Sequence, residues 1–247
     1  MKINEIIAFA DRLAPFESAE EWDNVGLLVG DPDAAVSRVL LALDITPAAV
    51  EEAREKNCEL IVSHHPVIFS PLSALRPDSA EYLLAKYDIA ALCLHTNLDR
   101  ADQGVDTALA AALGLDDTVF FAEDFLLVGK PEAPCSAEEF ASFIKERLHA
   151  PSVRFTQGRV SRVAVSSGGG GEGVALARKY GCDAFVTGEL KHHQYLCAVQ
   201  RGIAAFDAGH FSTENVVIAP LKELFEERFP EVEFIVGKAS ECPYRAV

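Results

Sequence analysis

Three stretches hold most of the residues in this sequence that could do chemistry. Val62-Ser63-His64-His65-Pro66 sets two imidazoles side by side, and His95-Thr96-Asn97-Leu98-Asp99 sets an imidazole four residues from a carboxylate. The segment from Asp207 to Glu214 adds His210 between two more carboxylates. Neutral imidazoles and carboxylates bind divalent first-row ions, and a set without thiolate suits zinc, manganese, iron, nickel or cobalt more than a sulfur-bound structural zinc. Taken singly, each residue has an ordinary structural account. His64 or His65 could be a polar strand end, His95 a buried hydrogen-bonded ring, Asp99 a turn cap and Glu214 a favourable first-turn residue of a helix. Two adjacent histidines shift the balance, so a metal site and a polar rim weigh about equally there. A helical turn would put His210 and Glu214 on one side. If the strand ends share one cleft, His64, His65, His95, Asp99, Asp207, His210 and Glu214 gather there, and even three imidazoles and two carboxylates exceed the needs of one tetrahedral ion with an open position. Two ions about 3.5–4 Å apart, bridged by a carboxylate and a water, fit that count better.

The elements that must position these residues read as α/β. Leu60-Ile61-Val62 is a short apolar run suited to a strand buried on both faces, and Pro66 bars a helix directly after the histidines. Arg38 to Asp44 is the preceding strand. Thr46 and Pro47 start a helix to Lys56, with Asn57 as its left-handed end. The N-terminal residues 3–14 are an amphipathic helix stopped by Pro15. Gly26 to Gly30 and residues 119–129 read as strand. Ser136 caps a helix to Leu148 whose apolar side is Ala137, Phe140, Phe143, Ile144 and Leu148. Pro220 implies a kink or restart in a helix from about Thr213 to Phe229, and Phe234 to Val236 is a last strand.

An offset of 124 residues, half the chain, lays Val39, Val50, Ala53, Arg54, Cys58 and Val62 on Val163, Val174, Ala177, Arg178, Cys182 and Val186. A second offset pairs Ile89-Ala90-Ala91 with Ile203-Ala204-Ala205, each strand running towards a histidine. Chance likeness between two β-α-β units is the alternative to duplication, and duplication is the better reading. The expected fold is two similar α/β domains, residues 1–122 and 123–247, each a mostly parallel sheet covered by helices. The C-terminal segment has the option of packing back on the first domain.

Composition narrows the function. A formal net charge of −16 and a pI near 4.8 argue against a nucleic-acid backbone or an anionic membrane as partner. No apolar run approaches the roughly 18 residues that span a bilayer. The six scattered cysteines form no CxxC pair and read as reduced residues of a cytoplasmic protein. Ser166-Ser167 followed by Gly168 to Gly171 could offer bare amides to an anion, but it lacks the P-loop ending and reads somewhat better as a plain turn.

The segments EEWDNVGLLVG, VSHHP, HTNLD, TGE with HH, and GH with TE occur in this order over nearly the whole chain. They resemble the dinuclear metal-centre proteins of the Nif-three-like family, commonly labelled GTP cyclohydrolase I type 2 homologs. The resemblance implies that His64, His65, Asp99, His210 and Glu214 bind two divalent metal ions, one carboxylate bridging, in subunits of a ring-shaped homohexamer. His95 and Glu189 match its motifs without being ligands. Each is a candidate for proton transfer, against buried hydrogen bonding for His95 and a helix cap for Glu189. His193 is a further possible lining residue, and Trp22, Asp23 and Asn24 form either a cleft wall or, for Trp22, a packing anchor. Two functions fit. One is a metal-dependent hydrolase in which an activated water attacks a C–N or phosphate bond of a small anionic substrate, a nucleotide or related phosphorylated heterocycle. The alternative is a non-enzymatic metal-binding assembly or regulatory protein that stores, senses or delivers metal.

Overall fold

A computed structural model describes residues 1–247. In chain order the strands are β1 (Gly26–Val29), β2 (Arg38–Ala42), β3 (Leu60–Ser63), β4 (Ala90–Cys93), β5 (Asp116–Phe121), β6 (Leu126–Lys130), β7 (Cys135–Ser136), β8 (Arg154–Phe155), β9 (Arg159–Val160), β10 (Val163–Ser166), β11 (Ala184–Thr187), β12 (Ala204–Asp207) and β13 (Glu233–Val236). The α-helices are α1 (Ile3–Leu13), α2 (Pro47–Glu55), α3 (Ala80–Tyr87), α4 (Thr96–Asp99), α5 (Val105–Ala112), α6 (Ala137–Arg147), α7 (Val174–Ala177), α8 (His192–Arg201), α9 (His210–Glu214) and α10 (Ile218–Arg228).

The chain forms two compact units, each with its own sheet. The first comprises Met1–Ala101 and Ile218–Glu241, and the second Asp102–Val217 and Cys242–Val247. The boundary thus falls at residue 101 and not at 122. The reason is local pairing and packing: β5 is hydrogen-bonded antiparallel to β6 and so joins the second sheet, and Leu109 of α5 lies in that sheet's core.

In the first unit the strand order is β1-β4-β3-β2-β13. β13, β2, β3 and β4 run parallel and β1 closes the edge antiparallel. Leu40, Ile61 and Ala91 face one side of this sheet, where Val50 and Ala53 of α2 and Leu84 of α3 bury them. Alternate residues of a strand face opposite sides, so a fully buried run needs a second cover. α1 and α10 form an apolar layer of their own, with Phe9 and Phe225 edge to face at 5.3 Å and Phe225 against Phe234 of β13. The helix signals act as expected at α2, where Thr46 Oγ1 accepts the Ala49 amide and Asn57 has φ 55°.

The second sheet has the order β5-β6-β10-β11-β12-β8. Its central β10, β11 and β12 are parallel and the flanking strands antiparallel. Val163, Val165, Val186 and Phe206 pack with Leu109 of α5 and with Phe140 and Ile144 of α6. Ala164, Phe185 and Ala205 face the other way, onto Val174 and Ala177 of α7 and Ala198 of α8. Ser136 and Glu139 exchange the hydrogen bonds that start α6. Phe143, counted above on the apolar side of that helix, is 40% exposed and stacks on Phe140 at the rim. The interruption expected at Pro220 lies slightly earlier: a 3-10 turn at Asn215–Val217 separates α9 from α10, and Pro220 sits in the first turn of α10, where its missing N–H costs nothing.

Candidate metal centre

In the first unit, parallel pairing sets Ala42 of β2 opposite Ser63 of β3, so Asp44 and His65 emerge two residues past that register. The His65 amide donates to the Leu43 carbonyl and the Leu94 amide to the Ser63 carbonyl, both at 2.9 Å, which extends the frame past the strand ends. Each imidazole leaving this frame is tied by Nδ1. His64, almost fully buried, places Nδ1 2.9 Å from the Leu94 carbonyl oxygen. His65 Nδ1 lies 2.8 Å from Asp44 Oδ1, and His95 Nδ1 2.8 Å from Asp23 Oδ1. A carbonyl oxygen only accepts, so a neutral His64 carries its proton on Nδ1 and its lone pair on Nε2. The two carboxylates set His65 and His95 the same way. This outer layer of acceptors is the arrangement that orients metal-binding histidines. One ring nitrogen from each of His64, His65 and His95 lies within 4.8 Å of the others, and Asp99 Oδ1 is 3.7 Å from His64 Nε2. The donor set fits a divalent ion.

Asp23 is the most committed of the acceptors. Burial opposes its charge, but hydrogen bonds from His95 and Thr96 outweigh burial and hold its carboxyl well below the usual range. Asn97 turns α4 into place: its Oδ1 accepts the His95 amide and its Nδ2 donates to the Ala14 carbonyl. The first unit therefore groups His64, His65 and Asp99 and adds His95 to the same cluster.

In the second unit the chain leaves β12 through Gly209, at φ 89°, into α9. His210 Nε2 lies 3.0 Å from Glu214 Oε2 and its Nδ1 3.1 Å from Glu189 Oε1. A neutral ring supplies one proton only, so a second proton or a metal cation is needed to relieve one of these two contacts. This pair also fits a divalent ion. The loop after β10 presses on it: Gly168 has φ 53°, and a Cβ there would stand 1.8 Å from Glu214 Oε1 and 3.1 Å from His210 Nε2. The amides of Ser167, Gly168 and Gly170 donate to Asp106, Thr213 and the Ser167 carbonyl. Those three amides are committed within the protein, and Gly168 packs against the pair. Asp106 is fully buried, and burial pushes its carboxyl up to about 7, against the Ser167 hydrogen bonds and with added repulsion from Glu214.

Other expected residues fall elsewhere. Asp207 is an organiser, not a free ligand: it accepts from the Leu190 amide and the Tyr195 hydroxyl and pairs with Arg154. Glu189 is 66% exposed at its side chain and reaches inward only to His210. His192 and His193 are exposed on the first turn of α8. The contributions of Asp44 and Asp106 went unread. A register signal for Asp44 existed, since it follows β2 by two residues as His65 follows β3, but Asp106 sits in an apolar helix with no local motif. Beside His210 lies a cavity of about 420 Å³ lined by Arg154, Glu189, Lys191, Asp207 and Tyr244.

A sequence profile described as Duf34/NIF3 (NGG1p interacting factor 3) matches residues 1–243. Two similar curated proteins are both named GTP cyclohydrolase 1 type 2 homolog. That of Clostridium perfringens is 30% identical over 100% of either chain, and that of Streptomyces coelicolor 34% identical over 99% of this chain and 94% of the other. The crystal structure of Staphylococcus aureus protein SA1388 superposes with a TM-score of 0.94 at 30% identity, covering 100% of this chain and 99% of that one. Profile, relatives and fold agree: the chain belongs to the Duf34/NIF3 family.

Proposed function

We propose that this protein is a dinuclear metal-dependent hydrolase whose substrate is a nucleotide or related phosphorylated heterocycle. The observation that carries the metal half of this reading is that His64, His65, His95 and His210 each have Nδ1 within hydrogen-bond reach of an oxygen acceptor, which turns the opposite nitrogen away from that acceptor. His64, His65 and Asp99 of one unit and His210 and Glu214 of the other are the proposed ligands of two divalent ions. Bound ions would supply charge stabilisation at a substrate oxygen and make water acidic near neutral pH.

This chain's own residues have defined tasks in that reading. Leu94 and Asp44 hold the rings of His64 and His65 in orientation. His95, backed by buried Asp23, can accept a proton on Nε2 while the carboxylate stabilises the imidazolium formed. Glu189 orients His210 and, being exposed, can exchange a proton with solvent. The substrate class is supported by the relatives' name, GTP cyclohydrolase 1 type 2 homolog. A cytoplasmic location is supported by six free cysteines. The structure has no helix long and apolar enough to cross a membrane. A homohexamer is proposed on the resemblance alone, and light scattering on the eluted protein checks it.

The test is elemental analysis of untagged protein purified without chelators, beside the variants His64→Ala and Glu214→Ala, followed by a panel of nucleotides and phosphoesters. The reading expects about two ions per chain in the native protein, sharp losses in both variants, and turnover that falls with the metal. Metal bound without turnover of any panel member would turn the conclusion to storage, sensing or delivery. Folded protein that holds no metal would end the hydrolase reading.

A further inference from the structure

Trp22, the single tryptophan of the chain, is 58% exposed, and Phe69 beside it is 53% exposed. Trp22 is therefore no packing anchor. The two ring centroids are 5.8 Å apart at a tilt of 50°, and each ring stands roughly edge-on to His95, at 6.1 and 6.5 Å. The segments that carry them are tightly held. Asp23, next to Trp22, accepts from His95 and from the amide and hydroxyl of Thr96. The Glu20 amide donates to Thr96 Oγ1 at 2.9 Å, and Arg100 pairs with Glu20. Asn24 Nδ2 donates to the Ile68 carbonyl at 2.6 Å, tying the Trp22 segment to the one that presents Phe69. A fixed frame thus holds two large apolar rings in water beside a cluster of three imidazoles.

We propose that Trp22 and Phe69 form the stacking wall for a flat heteroaromatic ring of the substrate, with Trp22 as the residue that selects for it. Indole and phenyl faces favour planar π systems. The rings reach His95 directly, so a ring seated on either of them has its polar edge next to the imidazole nitrogens, where a bulky protein partner would have to bury all three histidines. The inference rests on the reading of His64, His65 and His95 as the reaction site.

Because Trp22 is alone, its fluorescence reports one position. Metal-loaded full-length protein is titrated with guanosine 5′-monophosphate, which carries a flat base, and with ribose 5-phosphate, which does not. Equilibrium dialysis measures both for wild type, Trp22→Leu and Phe69→Ala. The nucleotide should change Trp22 emission saturably and bind the variants about tenfold or more weakly, while ribose 5-phosphate leaves the emission and its own affinity unchanged. Four results would overturn the inference: no nucleotide binding, binding without an emission change, unaltered affinity in both variants, or loss of oligomeric assembly in Trp22→Leu, which would assign the rings to a copy-to-copy interface. Metal content is measured on the same samples. Failure of the metal centre would appear there in the wild type, whereas failure of the stacking wall leaves metal content intact.

Discussion

The parallel strands of the two units share a register and differ in what leaves their ends. Val39 of β2 lies opposite Leu60 of β3, and Val163 of β10 opposite Ala184 of β11, the same step in both sheets. Past the strands the correspondence persists, since the Leu94 amide meets the Ser63 carbonyl as the Ala208 amide meets the Thr187 carbonyl. Yet β3 delivers His64 and His65, where the equivalent positions after β11 are Gly188 and Glu189. The cause is the preceding loop. After β2 residues 43–46 lead straight into α2, whereas after β10 the glycine-rich residues 167–170, equal in number, lead into a 3-10 turn (Gly171–Gly173) before α7. A Cβ at residue 188 would lie 2.6 Å from the Gly168 carbonyl oxygen and 2.7 Å from His210 Cα. Once that turn fills the strand end, no histidine fits at 188, and the second unit draws its donors from α9. A repeated frame can therefore be kept while its imidazole and carboxylate side chains come from another loop.

Filling that space should have a large measurable consequence. Gly168→Ala combines a left-handed backbone with a Cβ that must displace the buried Glu214 carboxylate, and should cost about 1–3 kcal/mol. Gly169→Ala, with no neighbouring atom within 4 Å, should stay within about 0.5 kcal/mol. Urea midpoints decide it, and equal losses in both variants would remove the steric account of the comparison.

The buried acids give the next contrast. Below pH 4 the Asp106 carboxyl is protonated in folded and unfolded chains alike. Between about pH 4 and about pH 7 the unfolded chain releases this proton while the folded protein keeps it, so stability falls as pH rises, and above pH 7 the loss is complete. The swing is on the order of a few kcal/mol in chelator-treated protein. Asp106→Asn should flatten that window, and parallel slopes for variant and wild type would show that Asp106 is not the group responsible. In the first unit Asp23 has the opposite sign: its contribution is present above the ordinary carboxyl range and is lost as pH falls through its depressed value. Asp23→Asn should cost about 1–3 kcal/mol at neutral pH.

Smaller effects distinguish orienting groups from structural ones. Asp44→Asn, at a half-exposed carboxylate, should change stability by less than about 1 kcal/mol yet weaken metal binding about 10- to 100-fold. Glu189→Ala should do less to either. If metal titration finds Asp44→Asn no weaker than wild type, the tether on His65 is incidental.

Much of this was legible in the residues. β-branched runs, Thr46-Pro47, Ser136 and the 124-residue offset located the repeated strands and helices, and HHP, HTNLD and DAGHFSTE marked the segments whose histidines and carboxylates the fold clusters. What escaped depends on pairings with no local signature. Nothing in Asp106 or Asp44 alone says that its oxygen meets a Ser167 amide or a His65 ring. β5 joins the second sheet through a hairpin partner and not through its own composition. The role of the glycines became clear only from what their missing side chains would strike.

The pairing of β13 with β2 also orders the birth of the molecule. Sheet one lacks its outer strand until Val236 has left the ribosome, and α10 precedes that strand by only a few residues. Residues 102–217 contain every strand of the second sheet. During synthesis the middle of the polypeptide can mature before β13 is made, while Met1–Ala101 waits with an unpaired β2 edge, exposed for that interval to mispairing with other nascent chains.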